Sequence, residues 1–97
     1  MAFVQIIEMR TSKVDEMQRV GEEWEAAVGE DRTSRRRVFC RDRDTPDRYF
    51  NIVFFDSYES AMQNSEHPTT QQFSKKMAEL VDGAPTFYNL DVLDESG

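Results

Sequence analysis

A single cysteine and a single histidine in 97 residues leave little material for the commoner catalytic and metal-binding sites. Cys40 has no second thiol, so an internal disulfide and a paired-cysteine metal motif are both excluded. It reads as a small packing residue on a strand, because a reactive thiol needs identifiable activation. His67 cannot build a multi-histidine centre alone, and no Ser/His/Asp or Cys/His set accompanies it. Glycine and proline number only four and three, and no stretch reads as a linker or low-complexity tract. The longest apolar run, Ile52 to Phe55, is far too short to cross a bilayer. Met1-Ala2-Phe3 leads into strand-like sequence without the basic start or cleavage site of a secretory signal. These gaps define the expectation: one cytoplasmic domain over residues 1–97, with no membrane partner, metal or cofactor.

Positive charge is also in short supply. Twelve lysines and arginines face nineteen acids, for a net charge of −7, which repels phosphate backbones and argues against nucleic-acid binding. Seven of the twelve cations are nevertheless the arginines at 32, 35, 36, 37, 41, 43 and 48. Asp31, Asp42, Asp44 and Asp47 partly neutralise them. The cluster fits a solvated strand that protects a sheet edge, or a site for an anion or acidic ligand.

What is present is a regular alternation of elements. Phe3 to Met9 reads as a strand. Ser12 is placed to cap a helix whose stripe is Val14, Met17, Val20, Trp24, Ala27 and Val28, ending near Gly29. Gly21 inside this stripe suggests close packing. Arg35 to Arg43 and Arg48 to Phe55 form strands joined by the turn residues Asp44-Thr45-Pro46-Asp47. Asp56 or Ser57 caps a short helix bearing Tyr58, Ala61, Met62 and Ser65. His67-Pro68 interrupts it, a second piece carries Phe73, Met77, Leu80 and Val81, and Gly83 stops it. Thr86 to Leu93 is the last strand.

The order is βαββαβ, an α+β ferredoxin-like arrangement. Right-handed crossovers give a four-stranded antiparallel sheet of order 4-1-3-2 with the helices on one face. Side chains alternate across the sheet. Even positions (Val4, Ile6, Phe50, Ile52, Phe54, Tyr88, Leu90, Val92) are almost wholly apolar and are expected under the helices. The odd set (Phe3, Ile7, Met9, Tyr49, Val53, Phe55, Phe87, Leu93) then forms a large bare patch. At about 1.5 kcal/mol per residue its burial is worth roughly 12 kcal/mol per chain, against about 4–15 kcal/mol for association. A homodimer is the simplest cover. Gln5, Asn51 and Asn89 share the odd face and read as a polar row, either fixing the dimer register or binding a ligand.

With this pattern, the passage RYFNIVFFDSYESAM and the split helix around EHPTTQQF, the chain resembles the dimeric α/β-barrel superfamily, in particular its antibiotic-biosynthesis-monooxygenase-like group. The resemblance implies a dimeric α/β barrel with ligands in the cleft between sheet and helices. That cleft would draw on Trp24, Phe50, Ile52, Met62, Phe73, Met77 and Tyr88 for a small aromatic ligand. His67, the one side chain that titrates near neutrality unperturbed, becomes the candidate proton-transfer group of a cofactor-independent oxygenation. A base removes a phenolic proton, and the electron-rich substrate reacts with oxygen itself. The haem-degrading branch is disfavoured: Gln5 stands where an asparagine is used, and the second helix has no tryptophan. RNA-recognition domains share the element order, but RYFNIVFF lacks their glycine, and Phe50 and Phe55 have opposite parity. A non-catalytic dimeric ligand-binding or stress-related module is the alternative to the oxygenase.

Overall fold

The computed structural model describes residues 2–29 and 33–97; Asp31 and Arg32 of the charged cluster lie outside them. Strand β1 (Phe3–Arg10) leads into helix α1 (Val14–Val28), followed by β2 (Ser34–Arg41), β3 (Arg48–Phe55), α2 (Tyr58–Glu66), α3 (Pro68–Leu80) and β4 (Thr86–Asp91). The sheet is antiparallel with order β2-β3-β1-β4. This is the expected α+β architecture.

Local chemistry explains most of the boundaries. Helix α1 begins after Lys13, which offers no side-chain cap; Ser12 is exposed and does not take that part. The hydroxyl of the preceding residue is better used. Thr11, 1% exposed, accepts from the Lys13 N–H at 2.9 Å and donates to the Leu80 carbonyl at 2.5 Å. One side chain thus ties the end of β1 to the end of α3. Gly29 ends α1 with a positive φ of 51°, a conformation that is costly for other residues. In the β2–β3 turn the Asp42 carboxylate accepts from the N–H groups of Asp44 and Thr45, an Asx-type arrangement. Ser57 caps α2 by accepting from Ser60 N–H at 3.1 Å.

The sheet faces are reversed from the sequence expectation. In β3, Tyr49, Asn51, Val53 and Phe55 are buried while the even residues are half-buried. Of the odd set, Phe3, Met9, Tyr49, Val53 and Phe55 are buried on the helix side, whereas Phe87 on the edge strand is 54% exposed and Leu93 lies beyond β4. Phe3, Val53 and Phe55 pack with Ala61 and Met62, and Met9, Met17 and Tyr49 form a second cluster with Met77, Leu80 and Val81. Phe50, Ile52 and Tyr88 therefore stand on the outer face, away from the helices. Alternation assigns residues to two groups but carries no absolute phase. The drier group was expected inside, yet the helix-covered face holds the amides.

The outer face combines an apolar band with a charged end. Tyr88 and Leu90 are 42% and 46% exposed. At the far end Arg48 donates to Glu8 at 3.0 Å and to Asp42 at 3.3 Å, and Tyr88 Oη donates to Glu8 at 2.9 Å. Hydrogen bonds from Arg48 and Tyr88 hold Glu8 below the usual carboxylate range, and backbone donation from Asp44 does the same for Asp42. Both are depressed relative to the unfolded chain. Their stabilisation is full above the ordinary carboxylate pKa of about 4 and fades as pH falls through the lowered values. Glu8→Gln is expected to flatten the acid limb of a Tm-against-pH curve below about pH 4. An unchanged acid limb would show that the network carries no linkage.

Candidate functional site

Between helices and sheet runs a cleft of three adjoining lobes, of about 140, 120 and 110 Å³. Asn51 and Phe73 line all three. The central lobe lies among Gln5, Trp24, Asn51, Asn64, Phe73 and Phe87. A second lobe opens between α1 and β2, past Gly21, Arg37 and Phe39. The third opens between α3 and β4, past Met77, Val81, Pro85 and Phe87, and is strongly apolar.

Its walls are fixed by the core. Trp24 is buried, its indole N–H donating to Thr70 Oγ1 at 3.0 Å, and its ring tilts against Phe73 with centroids 5.5 Å apart. Phe39 stacks on Tyr49 at 5.6 Å with planes 6° apart. On β1 and β4, Gln5 Nε2 donates to Asn89 Oδ1 at 3.1 Å, a cross-strand pair at matching register. Asn51 lies one step away, opposite Ile7 and Phe39. It is 7% exposed, and its carbonyl oxygen is buried without a hydrogen-bond partner, as is that of Asn64. Buried carbonyls are normally paired. Here two acceptors lack donors beside one cavity.

The expected site residues divide accordingly. Trp24, Phe73 and Met77 meet in the cleft. Met62 packs instead on the Phe3/Val53/Phe55 cluster, and Phe50, Ile52 and Tyr88 are on the other side of the sheet. His67 is the joint between α2 and α3. Its Nδ1 accepts from Thr69 N–H at 3.1 Å and so caps α3, and it does not line the three lobes. The amides of Gln5, Asn51 and Asn89 do share a face, the one the helices cover, with Asn51 buried beneath them and Asn89 exposed on the edge strand. Nothing in the sequence distinguishes Asn64 from a solvated helical asparagine.

The arginine cluster is likewise split by alternation. Arg35 pairs with Asp56, Arg36 lies over Phe54, Arg41 over Tyr49 and Arg48 over Phe50. Arg37 alone among them lines the cleft, where Nε and Nη2 both lie 3.1 Å from Glu25 Oε1.

These features define an α+β domain with the fold of the antibiotic-biosynthesis-monooxygenase-like structures. Among solved structures the chain is similar to SnoaB, a cofactor-independent oxygenase from Streptomyces nogalater, with a TM-score of 0.81 at 13% identity over 97% of this chain and 95% of that one. It is similar to Rv0793 from Mycobacterium tuberculosis, with a TM-score of 0.82 at 11% identity over the full length of both chains. A conserved protein from Methanosarcina mazei Go1 matches with a TM-score of 0.81 at 10% identity, over 92% of this chain and 90% of that one. At such identities the likeness is one of fold. No protein-family model matches the sequence, and no curated protein matches it either. Among the described residues, no helix is long and apolar enough to cross a membrane.

Proposed function

We propose that this chain is a homodimeric, cofactor-independent monooxygenase that takes a small aromatic quinol into the cleft. The observation that carries the reading is the buried, unpaired carbonyl of Asn51 where the three lobes, one of them strongly apolar, meet. An unsatisfied buried acceptor costs about 1–3 kcal/mol. A phenolic hydroxyl supplies the missing donor, and the rings of Trp24, Phe73 and Phe39 supply the walls. Loss of the phenolic proton leaves an electron-rich anion that reacts with O2 directly. At a ring CH2 of the keto tautomer, carbon is oxidised to C=O. One oxygen atom enters the product, and the other leaves as water with both hydrogens.

The protein's part is to bind, orient and exclude bulk water. No carboxylate or imidazole is among the residues lining the central lobe, so the proton passes to solvent at a cleft mouth and none is routed through His67. That same lack favours one second reading, a module that binds an aromatic ligand without turning it over. SnoaB's activity as a cofactor-independent oxygenase supports the first.

The second copy covers the outer sheet face. That face pairs Glu8 and Asp42 with Arg48 within the chain at one end of its apolar band, so two copies about a two-fold axis bury apolar surface on apolar surface without stranding those charges.

A hydroxyanthrone incubated with the protein under ¹⁸O2 tests the reaction. The expected result is one ¹⁸O atom in the new carbonyl, formed well above the buffer rate. Formation at the buffer rate, with Trp24 fluorescence still responding to the compound, would replace the oxygenase by the binding module.

A further inference from the structure

We propose that the cleft contains an anion subsite built on Arg37, so that its ligand is an aromatic acid rather than a neutral phenol. This rests on the reading of the cleft as a ligand site and narrows the ligand class.

Arg37 is on β2, beside Val53 in register, and its side chain is 23% exposed. Gly21 of α1 faces it. A Cβ at Gly21 would meet Nη1 and Nη2 at 3.5 Å, an ordinary contact distance, so the guanidinium lies beside this turn of the helix. Glu25, one turn further along α1, engages Nε and Nη2 through a single carboxylate oxygen. This fixes the plane of the fork and occupies one of its edges. A guanidinium carries five donors in a rigid fork suited to carboxylates. Nη1 takes no part in the Glu25 contacts, and Arg37 lines the central and α1–β2 lobes together with Asn51. Glu22 stands exposed at the rim of the latter lobe; the buried wall presents the cation.

The two fixtures differ in what they ask of a ligand. Asn51 Oδ1, buried and unpartnered, requires a donor, whereas Arg37, already paired with Glu25, offers further donors and favours an anionic acceptor. An aromatic ring with a hydroxyl and a carboxylate on neighbouring carbons meets both. Size agrees: a cavity of roughly 150 Å³ accommodates one benzene ring, and the central lobe measures about 140 Å³. The adjoining apolar lobe toward β4 takes a further fused ring.

Isothermal titration of the intact protein with 2-hydroxybenzoate and with its neutral amide tests the subsite. The acid is expected to bind about 10-fold or more tighter, the scale of a charge-assisted hydrogen bond. Arg37→Gln should abolish that preference while the amide still binds. Arg35→Gln, which removes an exposed arginine of the same strand paired with Asp56, should preserve it. Equal affinities in the native protein, or a preference that survives Arg37→Gln, would overturn the anion subsite and leave the aromatic cleft standing. Binding of neither compound would overturn both.

Discussion

Ile52→Arg is expected to turn the protein into a folded monomer. Ile52 lies in β3, one of the two central strands, level with Ile6 on β1 and Val38 on β2, at the middle of the apolar outer face. In an isolated chain the new side chain reaches solvent, so the helix-side clusters around Phe55 and Met17 are untouched. In a two-fold dimer the same substitution is made twice across one interface. A desolvated, unpaired charge costs about 3 kcal/mol or more per copy. Two copies cost about 6 kcal/mol, or some four decades in the dissociation constant. Light scattering behind size exclusion reads the outcome directly: native protein at twice the chain mass, and Ile52→Arg at the chain mass with unchanged far-ultraviolet circular dichroism. A variant still at double mass would move the interface elsewhere, and a native protein at single mass would remove it.

The outer face also shows where sequence reasoning had purchase. Strand and helix order, strand pairing and the break at His67-Pro68 were legible because each rests on a local rule: alternation, a three-and-four stripe, or proline's effect on its neighbour. The two-faced character of the sheet was legible too, since Ile6 and Ile52 on one parity are matched by Val53 and Phe55 on the other. Which face the helices cover was not. The drier parity points to the wrong face for a physical reason. On the helix side Gln5 and Asn51 line the cleft, with Asn89 bonded to Gln5 on the edge strand, whereas the outer face is apolar across its middle. With the phase reversed, Phe50, Ile52 and Tyr88 left the candidate site, and Asn51, Phe39 and Phe87 entered it. Arg37 illustrates a different limit. Within a run of arginines nothing marks it, and only Gly21 and Glu25 on another element, brought near by the fold, single it out.

Asn51→Leu is expected to raise stability and remove function together. Leucine keeps asparagine's branched skeleton and is bulkier, the added volume going into the adjoining cleft; position 51 is 7% exposed among Ile7, Phe39, Phe73 and Met77. The substitution deletes a buried carbonyl that has no partner, and such an atom costs about 1–3 kcal/mol. It also adds apolar surface against an apolar wall. For a domain of this length each kcal/mol is worth about 4–8 °C in Tm, so a rise of at least about 4 °C is expected by differential scanning calorimetry. The loss is on the other side of the ledger. Without the acceptor, a quinol hydroxyl entering the cleft gives up its hydrogen bond to water and receives none, which costs about 1–3 kcal/mol of binding, roughly 10- to 100-fold in affinity or turnover. The pairing of the two effects is what discriminates. An asparagine kept only for packing gives no functional loss on replacement by leucine. An asparagine satisfied within the protein gives a fall in Tm, because its partner is then stranded. Only a side chain that the fold leaves unsatisfied and a ligand completes gives higher Tm with weaker binding.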